Sequence, residues 1–425
     1  MRSYFQMKEI NPISKINTKI CVPGSKSLTH RAFIIAALAN GKSHLENILY
    51  AEDTMLTASA LKQMGINIKI DGKTATVTGR AGKISTPKKE VYLGNSGTSM
   101  RLLTAISALG EGRFILTGDR RMKQRPIADL LDALNLLGVS AYSIDKNGCP
   151  PVTIEAKGIM GGKTRIKTNI SSQFLSGLLL AVPYAKNDVT IEVIGHLPSK
   201  PYIDLTLKLM GGFGVEVNCE HYKHFFIPSG QVYKARDYTI EGDLSSASYF
   251  FAAAAILKGK VTVFPIDKDS KQPDIGFLDI LEAMGCKVVA KQREVTVIGG
   301  NLKGISIDMN AMPDLVPTLA VVASFVKEDT IIKNVAHLRV KECDRLSAIA
   351  TELMKMGIKV KEKEDGLIIK GGSPKGAIIE TYNDHRIAMG FAIAGLKVSG
   401  IKISNPACVK KSFPEFWDVL ERLKY

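Results

Sequence analysis

The sequence predicts an α/β protein assembled from six copies of one unit, three in each of two domains. Three observations carry this. A polar, small-residue opening feeding an Ala- and Leu-rich helix recurs at intervals of roughly 70 residues. Each such helix leads through a Gly or a charged break into a β-branched strand, and a second helix with an apolar stripe then follows, in most cases ending in Gly. At 425 residues the chain is long enough for several domains, and six α/β units are too many for one compact core, so the units should divide three and three.

The openings begin at Pro23, Gly94, Ile170, Gly242, Met312 and Asn383, and share the order polar cap, apolar helix, break, strand. The second helices are expected from Glu52, Arg125, Lys200, Gln272, Glu342 and Ser412. Alternating strand pairs come after them, such as residues 67–70 with 74–78 and 359–363 with 367–369, which makes the unit β-α-β-α-β-β. The boundary is expected near Asp237. One domain then comprises residues 21–237 and the other residues 1–20 plus 238–425, with a strand-like stretch at 18–22 able to cross between the halves. If the first helices pack inside each half, their polar N-termini can point at one interdomain cleft.

Composition narrows the class. The chain is 45% hydrophobic and 23% charged, with 37 Gly and 17 Pro, as in an ordinary globular protein. Lys and Arg (57) outnumber Asp and Glu (41), and the net charge of +16 favours anionic partners without choosing among them. The six cysteines are widely spaced, with neither a CxxC pair nor a His at ligand spacing, so no zinc site and no disulfide framework is indicated. The N-terminal residues have no apolar core of signal-peptide length, and no apolar run reaches membrane-spanning length. These features point to a cytoplasmic protein that keeps its thiols reduced and does not engage a membrane.

The stretch 93–129 is the most informative. Gly94-Asn95-Ser96-Gly97-Thr98 lies between a short apolar run and a helix expected to begin near Ser99. Such a turn leaves backbone N–H groups at a positive helix end, and its glycines let an anion approach the main chain. Downstream, Arg120, Arg121, Lys123 and Arg125 precede a second helix expected near Pro126. Cradle and clamp suit the same phosphate or carboxylate ligand.

Polar residues gather at the other openings too: Lys26, Ser27 and Arg31; Arg101; Ser171, Ser172 and Gln173, then Ser199 and Tyr202; Asp314, then His337, Lys341, Glu342 and Arg345; and Asp384, His385, Arg386, Lys410 and Lys411. Cations facing one another require an anion to offset their repulsion, so the site should stand open until substrate draws the halves together. Asp314 and Glu342 are the acid/base candidates, as carboxylates at helix openings. Lys26 can also move a proton if its neighbours depress its pKa. No GxSxG elbow, Cys-His pair, P-loop or GxGxxG is present, so neither a nucleotide cofactor nor a metal is expected.

Seven motifs in order carry a resemblance: PGSKSLTHR from Pro23, LGNSGTSMR from Leu93, RPIADL from Arg125, SSQFLSGLLLA from Ser171, LRVKECDRL from Leu338, NDHRIAM from Asn383 and KKSFPEF from Lys410. Over essentially its whole length the chain resembles the EPSP synthase family of enolpyruvyl transferases. The resemblance implies a two-domain inside-out α/β barrel closing on shikimate 3-phosphate and phosphoenolpyruvate, with no cofactor and as a monomer. The 5-hydroxyl of the first adds to C2 of the second while C3 is protonated, and the adduct expels phosphate. Ser27, Arg31, Ser171, Ser172, Ser199, Tyr202, Asp314, His337 and Lys341 would contact shikimate 3-phosphate. Asn95, Gly97, Thr98, Arg125, Arg345, Arg386 and Lys411 would hold phosphoenolpyruvate, and Lys26 and Gln173 would touch both. By the same resemblance Asp314 would be the base near the attacking hydroxyl, and Glu342, with Lys26, would handle the C3 proton. Two positions depart from the family pattern: His337 stands where many relatives have Asn, and Leu102 where many have Pro, next to the site of the family's inhibitor glyphosate.

The UDP-N-acetylglucosamine enolpyruvyl transferases are similar to this family but usually carry a Cys in a mobile loop, and residues 118–126 contain none. RNA 3′-phosphate cyclases share a related fold with a nucleotide-accepting His, for which His385 is the candidate here; ATP consumption separates that case. Against nucleic-acid binding stand 7% aromatics, a single Trp and lysines scattered along the chain.

Overall fold

The computed structural model describes residues 7–424. The chain divides into two compact units, residues 24–240 and residues 1–23 with 241–425, each boundary lying slightly C-terminal of the expected 21 and 237. Each unit has its own apolar core.

In the unit 24–240 the first helix of each repeat is Lys26–Leu38, Gly97–Ser107 and Gln173–Ala181, and nearly every residue of each is buried. The other unit has the same arrangement, with Leu244–Leu257, Val316–Ala323 and His385–Gly395. Helices apolar on all sides can be stable only when surrounded by protein, so they form the centre of each unit. The second helices, for instance Glu52–Gln63 and Arg345–Lys355, are buried on one side only. The expected glycines after them, Gly65, Gly138, Gly214, Gly285 and Gly357, all take positive φ, the conformation that stops a helix at little cost.

Six small sheets complete the repeats, each with one parallel pair. In a simple tandem array the strand before the first helix would pair within its own repeat, as Val91–Tyr92 does with Glu111–Thr117. The first and fourth repeats break this rule. Strand Asn17–Cys21 runs parallel to Lys260–Phe264 of the fourth repeat, and Tyr238–Thr239 runs parallel to Asn40–Glu46 of the first. The two segments that link the units have therefore exchanged strands. Among the described residues no strand follows the last helix of the sixth repeat, and Lys8–Ile10 completes its sheet by pairing antiparallel with Ile401–Ile403.

Local details differ from the sequence reading. The helix expected near Ser99 starts at Gly97, because Ser96 caps it, its Oγ accepting from Ser99 N at 3.4 Å. The helix expected near Pro126 starts at Ala128, after a 3-10 turn at Met122–Gln124. In the fourth repeat the second helix is split into a 3-10 turn Pro273–Gly276 and an α-helix Phe277–Ala283.

Candidate active site

In the unit 24–240 three helix openings gather the predicted cradle. Asn95, Ser96 and Gly97 lead into Gly97–Ser107, and Arg125 ends the turn Met122–Gln124. Arg125 Nη1 donates to the backbone oxygen and to Oδ1 of Asn95, both at 3.0 Å. A Cβ at position 97 would lie 2.4 Å from Arg125 Nη2, so glycine is what lets the guanidinium lie against the helix opening. Gln173 joins this group: its Oε1 accepts from Arg101 at 2.9 Å and its Nε2 donates to Thr98 Oγ1 at 3.0 Å. Ser171 Oγ accepts from Gln173 N at 3.3 Å.

Lys26 is the first residue of its helix, and its ammonium lies 3.5 Å from Asp53 Oδ2. Sequence reasoning missed Asp53, whose signal was its place in the opening turn of the second helix. Arg31 is 1% exposed; it donates to Thr206 Oγ1 at 2.8 Å, Ser27 O at 3.0 Å and Ser176 Oγ at 3.3 Å. Burial lowers its pKa to about 10, against an opposing effect from Tyr202. An arginine held by neutral oxygens in a dry setting is a strong anion receptor. Ser172 and Ser199 are buried near their helix openings, Ser199 at φ 55°, and Tyr202 N donates to Ser199 O at 3.0 Å. Beneath the openings His30 Nδ1, Thr57 Oγ1, Ser99 Oγ and Ser96 Oγ form a buried chain with links of 2.7, 2.7 and 2.6 Å.

In the other unit the predicted residues form a charge network. Arg345, 1% exposed, donates to Asp314 Oδ1 at 2.9 Å, Glu342 Oε2 at 2.9 Å and Asp384 Oδ2 at 2.8 Å. Arg386 Nη2 donates to Asp314 Oδ2 at 2.7 Å. Lys411 Nζ lies 3.9 Å from Glu342 Oε1. Burial alone would lower the pKa of Arg345, but Asp384, Glu342 and Asp314 hold it well above the ordinary value; Arg386 is raised likewise, mainly by Asp314. The expectation of cations left to repel one another is therefore corrected here: carboxylates of the same unit already offset them. Asp384, grouped in sequence only with the polar openings, both caps His385–Gly395 and orients Arg345. His337 is buried in the 3-10 turn Ala336–Val340, and Lys341 follows it directly. Arg339 ties this turn to Asp344, the cap of helix Arg345–Lys355, at 2.9 Å and to Glu362 of the adjoining hairpin at 2.6 Å.

Among the described residues no group of three His, Cys, Asp or Glu could hold a metal ion, and no helix is long and apolar enough to cross a membrane. Each network by itself has oriented guanidinium groups at helix openings, and the second adds carboxylates beside its cations, the kinds of group that suit small polyanions and proton movement.

A family model described as EPSP synthase (3-phosphoshikimate 1-carboxyvinyltransferase) matches residues 10–420. A 3-phosphoshikimate 1-carboxyvinyltransferase of Sulfurovum sp. (strain NBC37-1) is 46% identical over 419 residues, covering 97% of this chain and 98% of the relative. That of Syntrophobacter fumaroxidans is 45% identical over 421 residues, covering 98% and 99%. A solved EPSP synthase from Acinetobacter baumannii superimposes with a TM-score of 0.83 at 30% identity, covering 98% of each chain.

Proposed function

Because the chain belongs to the EPSP synthase family, we propose that the two residue networks described above carry out that family's addition and elimination. The enzyme is a transferase of the shikimate pathway: it moves the 1-carboxyvinyl group of phosphoenolpyruvate to the 5-hydroxyl of shikimate 3-phosphate and releases inorganic phosphate. Arg125 over Gly97, with Asn95, Thr98, Arg345, Arg386 and Lys411, holds phosphoenolpyruvate. Ser27, Arg31, Ser171, Ser172, Ser199, Tyr202, His337 and Lys341 hold shikimate 3-phosphate, and Lys26 and Gln173 serve both ligands.

Asp314 takes the proton of the 5-hydroxyl as its oxygen bonds to C2. Glu342, with Lys26, delivers a proton to C3 and later removes one as the C–O bond to phosphate breaks, which restores the enol ether. The observation that carries this reading is Asp314, whose two oxygens are held by two different guanidinium groups. Such a carboxylate is oriented, and it accepts a proton as it gives up one of those contacts. One chain supplies every residue named, so a monomer suffices, and the free cysteines suit the reducing cytoplasm.

Phosphate release tests the assignment. Release should require both substrates together and neither metal nor ATP. Lys26→Ala, Arg125→Ala and Asp314→Ala should each lower kcat by about a hundredfold or more with unchanged circular dichroism. Near-normal release by Asp314→Ala removes its role as base, and dependence on ATP removes the reaction.

A further inference from the structure

One buried carboxylate of the Arg386 network has no part in the mechanism above. Asp274, at the 3-10 turn Pro273–Gly276, is 4% exposed, and its Oδ2 accepts a short hydrogen bond from Ser245 Oγ in the first turn of Leu244–Leu257. Ser245 Oγ in turn accepts from Arg386 Nη2 at 3.4 Å, the same nitrogen that donates to Asp314 Oδ2 at 2.7 Å. Two complementary atoms in this cluster are unmatched: Asp274 Oδ1 accepts no hydrogen bond and Arg386 Nε donates none, though both are buried. A buried acceptor and a buried donor left unmade cost free energy, and together they favour a guanidinium position nearer Asp274 than the one observed.

We propose that Asp274 is a positioning residue: with Ser245 it forms a second seat for the Arg386 guanidinium, drawing it from Asp314 so that Asp314 is released to accept the substrate proton. The inference rests on the reading of Asp314 as the base. It gives that carboxylate a way to lose a cation without leaving the cation unpaired, since breaking one buried pair is tolerable only where another forms. The charged and titratable groups facing Asp274 are Arg386, Asp314 and Asp243, and the Tyr249 hydroxyl lies beside Arg386.

The seat depends on pH. Burial raises Asp274 to about 7, against the pull of Arg386 and the Ser245 hydrogen bond, with Asp314 and Asp243 adding to the rise. Below that pH Asp274 is a neutral acid and attracts Arg386 weakly. Above it the group is an anion and competes with Asp314. Asn at this position imitates the neutral form at every pH.

The test uses the full chain as wild type, Asp274→Asn and Ser245→Ala, with kcat and both KM values taken by phosphate release from about pH 5.5 to about pH 8.5. Asp274→Asn should match wild type within about twofold at the acid end and fall about tenfold below it at the alkaline end, with KM for shikimate 3-phosphate within about twofold throughout. Ser245→Ala, which breaks the bridge without touching the carboxylate, should show the same divergence with a smaller gap, and it decides the matter if Asp274→Asn does not fold. A ratio to wild type that is constant across pH in the folded variants overturns the proposal, because a merely structural loss would not converge at low pH. Wild type that releases no phosphate from the two substrates overturns the parent reading first and this inference with it.

Discussion

Arg125 is 4% exposed and held at Asn95 by two hydrogen bonds, and it owes that position to the missing side chain at Gly97. A methyl there would meet Nη2, Cζ and Nη1 at 2.4, 2.7 and 2.9 Å. Those atoms are the far end of a flexible side chain, so the guanidinium would move and the backbone would stay. Gly97→Ala should therefore leave the melting temperature within a few degrees of wild type while raising KM for phosphoenolpyruvate. A misplaced charged hydrogen bond is worth about 1.5–3 kcal/mol, which is roughly a tenfold to hundredfold rise. Steady-state kinetics with each substrate varied would read it, and an unchanged KM for phosphoenolpyruvate would remove Arg125 from that ligand. The Gly97 motif and the basic run before Pro126 were legible in sequence because a turn and its cations are local. Asp53, Ser245 and Asp274 were not, since each matters through a partner remote in the chain: Lys26 for Asp53, and Arg386 for the other two.

Among elements, the polar chain joining Lys26–Leu38, Glu52–Gln63 and Gly97–Ser107 fixes how three helix openings meet. Thr57 is its centre, 2.7 Å from both His30 Nδ1 and Ser99 Oγ, and is wholly buried. Thr57→Val keeps the shape and removes both contacts, which should cost about 1–3 kcal/mol. For a unit of this size that lowers the melting temperature by roughly 2–12 °C. A calorimetric melt unchanged from wild type would mean the chain contributes nothing to stability. The helices themselves were readable because apolar runs, caps and terminal glycines are periodic signals, and the six repeats appear in the expected order. The exact starts were not, since Ser96 competes with Ser99 for the cap, and Pro273 opens a 3-10 turn where the stripe alone suggested continuous helix.

At the scale of the molecule, the exchanged strands decide which pieces of the chain can fold. A strand of two residues such as Tyr238–Thr239 has no periodicity to read; residues 18–22 were legible as a strand able to cross between the halves, but nothing local in them names Lys260–Phe264 as the partner. Residues 24–240 contain all three of their sheets and a core of their own, and should fold cooperatively as a separate fragment. Residues 241–425 alone should not. They lack Asn17–Cys21 and Lys8–Ile10, and with them the buried side chains of Ile10, Ile16, Ile20 and Val22. At about 1.5–3 kcal/mol for each, that loss is roughly 6–12 kcal/mol, comparable to the whole stability of a typical domain. The missing segment can be returned at the other end. Lys8 Nζ lies 3.8 Å from Glu421 Oε1 and 5.5 Å from the Trp417 ring centroid, so the last helix ends beside the strand Lys8–Ile10. A Gly/Ser linker of about eight residues from position 424 to position 7 spans that gap. The fusion of 241–424, linker and 7–23 should melt cooperatively where 241–425 shows no transition; a cooperative melt of 241–425 alone would show that the exchanged strand is dispensable.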